Sequence, residues 1–182
     1  MHIEIPELSL VMLVGASSAG KSTFARTHFL PTEVVSSDRC RAILSDDETD
    51  QTVTRDAFEL LHTIVEKRLK LRRLTVVDAT NVQPASRRKL IAIARAHNVD
   101  SVAIVFDLPE DVVMKRHAAR TDRDFPVHVI GRQRLELSRS FHGLQDEGIR
   151  FVHVFAQASD VDAVTVGRAR PLQEEAHHGR GA

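Results

Sequence analysis

The sequence contains no tryptophan, no tyrosine and a single cysteine, and its 25 Lys+Arg balance its 25 Asp+Glu to a formal net charge of zero. Each shortage excludes something. A lone Cys40 makes no internal disulfide, so a disulfide-built scaffold is excluded and a reducing, cytoplasmic setting is expected. Without a charge excess, no whole-molecule field draws the protein onto long nucleic acid or an anionic membrane, and any such binding must be local. With 8 Phe as the whole of its Phe, Trp and Tyr, base stacking would have to use Phe, an aliphatic side chain or an arginine plane. No apolar run approaches a bilayer span, and the start MHIEIPELSL lacks the basic and apolar regions of a signal peptide. A soluble protein with no membrane partner is expected.

What is present is enough for a core: 182 residues, 42% of them apolar, suit one domain. Short apolar runs at residues 8–14, 33–36, 74–78, 101–107 and 150–155 alternate with stretches of helical period. Several are apolar on both faces, as buried parallel strands are. The alternation predicts an α/β fold, a mostly parallel five-stranded sheet flanked by helices. Pro31 ends a helix over 21–30, a second begins near Asp38, and a third covers 54–71. On that third helix Phe58, Leu61, Ile64, Val65 and Leu69 share one face, with Thr54 as N-cap. Pro84 and Pro109 suit first helical turns, giving helices over 84–97, closed by Asn98, and 109–120. Helical period returns at 127–141 after the turn-rich TDRDFP, so 109–141 reads as a helix–loop–helix lid. Residues 1–169 form the domain, and the polar stretch 170–182 is a tail or linker.

The strongest motif is Gly15-Ala16-Ser17-Ser18-Ala19-Gly20-Lys21-Ser22, a G-x-x-x-x-G-K-[ST] phosphate loop placed between a strand and a helix. Glycines let the backbone wrap phosphate oxygens, its N–H groups point inward, and the helix N-terminus adds its positive dipole end. Lys21 is expected to bridge the β- and γ-phosphates of ATP and Ser22 to ligate Mg²⁺, with Thr23 supporting the first helical turn. Guanine-reading N-K-x-D is absent, and Asp78 lacks the adjacent Glu with which motor ATPases activate water. Both omissions favour a small kinase.

Asp38 follows the second strand, so it is expected at the carboxyl edge of the sheet beside the loop. There it either accepts the proton of an attacking hydroxyl or caps the following helix, and Arg41, three residues on, either holds an anionic acceptor or lies on the solvated surface. Arg116 and Arg120 share a helical face with Arg123 beyond. From Lys115 to Arg134, six basic residues oppose only Asp122 and Asp124, which suits a lid clamping phosphates or a solvated basic helix. Asp78 is a candidate for holding a Mg²⁺-bound water, and Asn81 for fixing the turn or touching a phosphate. The basic run Lys67, Arg68, Lys70, Arg72 and Arg73 reads as structural, at the dipole end of its helix.

From IPELSLVMLVGASSAGKSTFARTHFLPTEVVSSDRCR through SDDETDQTVT and LTVVDATNV to RTDR, the chain resembles the 5′-kinase domain of bacterial polynucleotide kinase-phosphatase, an RNA repair enzyme of the P-loop phosphotransferase superfamily. The resemblance covers nearly all of residues 3–155, and SSDxCR and DDExDQTVT carry more of it than the generic loop. It implies transfer of the ATP γ-phosphate, with Mg²⁺, to a 5′-OH end of RNA or DNA. By the same resemblance Lys21 and Ser22 serve ATP and Mg²⁺, Asp38 is the general base, and Arg41 contacts the acceptor's terminal phosphodiester. Arg116 engages the ATP phosphates with Arg120 and Arg123 beside it, and Gln51 and Thr52 touch the acceptor strand. Members of that family continue into phosphatase and ligase-like domains, so further repair domains in the same polypeptide, and a homodimer, are compatible with the reading. Ala16 and Ala19 depart from the usual small polar or glycine residues, which leaves backbone phosphate binding intact if their side chains point away. The alternative is a P-loop kinase of a small-molecule hydroxyl, a sugar or a nucleoside. A nucleotide switch that transfers nothing is a third class, against which Asp38 and Arg41 weigh.

Overall fold

A computed structural model describes residues 1–119 and 126–169. Chain order is β1 (His2–Pro6), β2 (Ser9–Gly15), α1 (Lys21–His28), β3 (Val34–Ser36), α2 (Ser37–Ser45), α3 (Thr54–Lys70), β4 (Thr75–Asp78), α4 (Pro84–Ala96), β5 (Asp100–Phe106), α5 (Glu110–Ala118), α6 (Val127–Ser140), β6 (Phe151–Phe155), α7 (Ala158–Ala163) and β7 (Thr165–Ala169). The five expected strands form one sheet in the order β3-β4-β2-β5-β6, and every pair in it is parallel. The fold is the α/β arrangement that the βα alternation predicts.

Strand alternation splits the core in two. On β2, Leu10, Met12 and Val14 face a layer that holds Leu61, Val65 and Leu69 of α3 and Leu90, Ile91 and Ala94 of α4. Val11 and Leu13 face the other layer, with Phe24 and Ala25 of α1 and Val113 of α5. Both faces of the strand are covered, so a continuous apolar run is what it needs. Phe24, Phe106 and Phe155 pack as a trio with ring centroids 5.4 to 5.6 Å apart. Helix α6 belongs to both layers, since Ile130 packs into the α1 side and Leu137 into the α3 side. It therefore crosses over an edge of the sheet.

Several local expectations change. A two-stranded parallel sheet of β1 and β7, running from His2 opposite Thr165 to Pro6 opposite Ala169, was not among the expected strands. Thr54 is the first residue of α3 and not its N-cap; that place falls to Val53, with no side-chain capping bond. Pro109 sits one position earlier than expected, as the N-cap of α5, whereas Pro84 opens α4. Asn98 does close α4: in the left-handed region at φ 52°, its N–H donates to Arg95 O (3.1 Å) and that of Val99 to Ala94 O (3.0 Å), a Schellman turn. Arg68 donates to Leu74 O and Arg72 to His97 O, so these two members of the basic run tie α3 to neighbouring backbone. Among the described residues no helix is long and apolar enough to cross a membrane. The expected tail, 170–182, and the lid turn at 120–125 lie outside the described residues.

Candidate active site

The phosphate loop is built by sorting its side chains. Ala16 and Ala19 are buried in the α1-side core, which anchors the loop and leaves Ser17, Ser18 and Gly20 lining a cleft at the carboxyl edge of the sheet. Gly15 is required for close approach, because a Cβ there would lie 3.0 Å from Phe106 Cβ and 3.1 Å from its carbonyl oxygen. Gly20 is required for its φ of 104° as the N-cap of α1. Lys21 is only 7% exposed, and its Nζ donates to Gly15 O (2.9 Å) and Ala16 O (2.7 Å). The ammonium is thus held over the loop by the loop's own carbonyls. Ser18 Oγ is buried without a hydrogen-bond partner among the described residues, a cost that a phosphate oxygen would remove.

Across the cleft stands a wall of side chains from α2, the following loop and α3. Ser36 caps α2 by accepting from Arg39 N–H at 3.4 Å, so Asp38 is not the cap. Its carboxylate accepts from Arg41 Nη2 instead. Arg41 is 6% exposed rather than solvated, and its Nε donates to Glu48 O at 2.9 Å, which fixes the guanidinium between helix and loop. Gln51 lines the cleft, as do Glu48, Thr54 and Phe58. Thr52 is not among the described lining residues; its N–H and Oγ1 turn back to Asp50 Oδ1 at 2.8 and 2.6 Å. Hydrogen bonds from Thr49 and Thr52 hold the Asp47 and Asp50 carboxyls below the ordinary range, so this rim stays negative.

The floor comes from the end of β4. Asp78 lines the cleft with Ala79 and Thr80, and Thr80 O accepts from Gly15 N–H at 2.9 Å. Asn81 fixes the turn: at φ 49° it is buried and donates from Nδ2 to Leu13 O at 2.9 Å. Behind it Arg87, fully buried at 0% exposure, donates to Asn81 O (2.8 Å) and Val82 O (2.9 Å). Its remaining nitrogens pair with both carboxylate oxygens of Glu147.

The roof is α5 and α6. Arg116 Nη1 donates to Ala19 O at 2.9 Å, so its guanidinium already lies against the loop. Gln133 of α6 accepts from Ser17 N–H at 2.8 Å; the residue between Ile130 and Leu137 therefore passes directly above the phosphate loop. Arg134 is committed to Leu108 O. Arg120 and Arg123 lie outside the described residues. Val161 and Asp162 of α7 complete the lining. The cleft has a volume of about 790 Å³, within the range of small-molecule sites.

Ser22 and Asp78 supply a hydroxyl and a carboxylate on this cleft, the hard oxygen donors that suit a hydrated Mg²⁺ which also binds phosphates. Among the described residues no group of three His, Cys, Asp or Glu could hold a metal ion. Sequence reading missed Phe58 as a cleft residue, since its spacing marks it as core. It also missed Gln133 and Arg87, polar residues on helices whose roles arise from partners 116 and 60 residues away.

No curated protein matches the chain. A chain in the structure of the Pnkp1/Rnl/Hen1 RNA repair complex is similar at 27% identity and a TM-score of 0.65, over 77% of this chain and 47% of that one. This chain thus spans about half the length of that relative. The gluconokinase of Sinorhizobium meliloti 1021 shares the fold at 16% identity and TM-score 0.53, with 87% of each chain covered. Kti12 of Chaetomium thermophilum, solved with ADP-AlF3, shares it at 14% and 0.59 over 81% of this chain and 88% of its own. These are likenesses to a P-loop kinase fold. Residues 10–144, well over half of the chain and inclusive of the loop, the facing wall and the roof helices, match the model of the family described as an AAA domain, and the chain belongs to that family.

Proposed function

We propose that the protein is an ATP-dependent polynucleotide 5′-hydroxyl kinase that transfers the γ-phosphate to 5′-OH ends of RNA or DNA in repair. The observation that carries the reading is the pair of Asp38 and Arg41 standing across one cleft from the phosphate loop. The acceptor oxygen attacks the γ-phosphorus as the bond to the β,γ-bridging oxygen breaks, and its proton passes to the Asp38 carboxylate, leaving ADP. Arg41, fixed through Glu48 O, keeps that carboxylate oriented and offers its guanidinium to the acceptor's first phosphodiester. Lys21, the loop amides and Arg116 stabilise charge on the transferring phosphoryl group. Mg²⁺ held at Ser22, with Asp78 behind, would neutralise phosphate oxygens that the loop does not reach. The 27% likeness to a chain of an RNA repair complex supports the nucleic-acid acceptor. It also supports further repair domains or partners acting alongside this unit.

A second reading has one observation in its favour. Glu48 lines the acceptor side, and Asp46, Asp47 and Asp50 flank it in sequence, a rim that favours a small uncharged hydroxyl over a polyanion. Transfer of labelled γ-phosphate to a short strand with a 5′-OH, to the same strand already 5′-phosphorylated, and to a neutral sugar or a nucleoside separates the two. Label on the 5′-OH strand alone supports the polynucleotide kinase, and label on the small acceptor alone overturns it.

A further inference from the structure

Among the described residues, Phe58 is the one aromatic side chain that lines the cleft. The neighbouring lining is mostly polar or charged: Ser37, Asp38, Arg41, Glu48, Gln51 and Thr54. The buried stripe of α3 does not require a ring here, since Ala57, Leu61, Val65 and Leu69 already face the sheet. Phe58 sits beside that stripe, half-buried, with one side packed on the core and another open to the cleft. Four residues on, His62 lies under it, ring centroids 6.1 Å apart and planes 38° from each other. Burial, with Lys89 adding to it, lowers the His62 pKa to about 4, so near neutral pH this backing ring is uncharged. Four residues before, Thr54 Oγ1 donates to Gln51 Oε1 at 3.4 Å, which places a polar edge next to the ring.

An aromatic face with a polar edge, in a wall that also carries a carboxylate and a guanidinium, matches one acceptor chemistry: a hydroxyl, an adjoining phosphodiester and a flat heterocycle. In a protein without Trp or Tyr, this is where a base can find a ring. We infer that Phe58 is the base platform of the acceptor site, on which the first nucleobase of a 5′-OH strand stacks while its terminal hydroxyl meets Asp38. The inference rests on the polynucleotide kinase reading and sharpens it: the enzyme reads the presence of a base at the 5′ terminus, with little regard to which base, because every base has a π-face.

The test compares two oligonucleotides of one sequence, both with a 5′-OH, one carrying a normal first nucleoside and the other an abasic tetrahydrofuran residue there. For the wild-type chain, kcat/KM for the base-bearing strand is expected to be about tenfold the higher, chiefly through KM. Phe58→Leu keeps apolar bulk on the core but removes the ring, and is expected to bring that ratio to within about twofold of unity. Phe58→Trp is expected to keep it. Equal use of both strands by the wild type overturns the inference, as does an equal loss on both strands in Phe58→Leu, which is what a packing role would give. Label on neither strand, with ATP binding intact, overturns the inference together with the kinase reading; transfer without discrimination overturns the platform alone.

Discussion

The two sides of the cleft are made differently. The phosphate side is backbone, with its alanines sunk in the core, its glycines set by a close contact and a positive φ, and its lysine bound to its own carbonyls. The facing side is side chains on two helices and a loop, tied to each other through Asp38, Arg41 and Glu48 O, and through Gln51 and Thr54. Backbone recognition suits what all nucleotides share, the phosphates, and is compatible with many chemistries. Side-chain recognition can be exchanged without disturbing the loop, so a kinase of the proposed kind would set its substrate choice there.

The sharpest break of that contrast is Asp38→Asn. With the assigned role, transfer falls by about 10²- to 10⁴-fold, while nucleotide affinity, measured by calorimetry, stays within about threefold because the loop is untouched. Lys21→Ala must instead weaken transfer and nucleotide binding together. Equal loss of both in Asp38→Asn would remove the division between the sides.

Next comes the support beneath the phosphate side. Arg87→Ala leaves Glu147 and the carbonyls of Asn81 and Val82 without their partner in the interior. A loss of about 3–5 kcal/mol in urea unfolding is expected, against about 1 kcal/mol or less for removing the exposed ion pair of Arg150 with Asp100. Comparable losses for the two would show that Arg87 is not the anchor.

A smaller effect attaches to Gln133. Its carbonyl oxygen occupies the Ser17 N–H, and a phosphate oxygen competes for that donor, so Gln133→Ala should tighten ADP binding by about fivefold, the worth of one net hydrogen bond. Weaker binding would mean that Gln133 grips the nucleotide.

The smallest effect is on pH dependence. His62 titrates at about 4 in the folded chain against about 6.5 unfolded, so the unfolded state binds the extra proton. Stability is complete above pH 6.5 and is lost as pH falls toward 4. For a half-exposed ring facing Lys89 and Glu59, the share is on the order of 1 kcal/mol after solvent screening. His62→Gln should lose less stability between pH 7 and 4.5 than the wild type.

The sheet was legible in the sequence because its strands are covered on both faces and read as unbroken apolar runs, and the loop because its glycines answer local constraints. β1 and β7 escaped: β1 buries only Ile3 and Ile5, and each strand's partner lies at the other end of the chain, beyond any local pattern. On α2 spacing alone leaves open whether Asp38 caps the helix or faces the cleft, since a carboxylate suits either place, and the structure gives the cap to Ser36. Gln133 and Arg87 were invisible for a related reason, because a polar side chain declares its partner only when the helices have packed. Phe58 fits helical period as well as its core neighbours do, and periodicity does not tell a ring that is covered from one that stays open on one side.

The pairing of β1 with β7 also orders events in time. Residues 2–6 are made before the five strands of the main sheet, yet their strand partner, 165–169, is made only after them. During synthesis Ile3 and Ile5 must wait without their ladder while the rest of the domain assembles. A nascent chain released before residue 165 would hold the whole phosphate loop and still present an unpaired strand, an opening for chaperones or for another copy of itself.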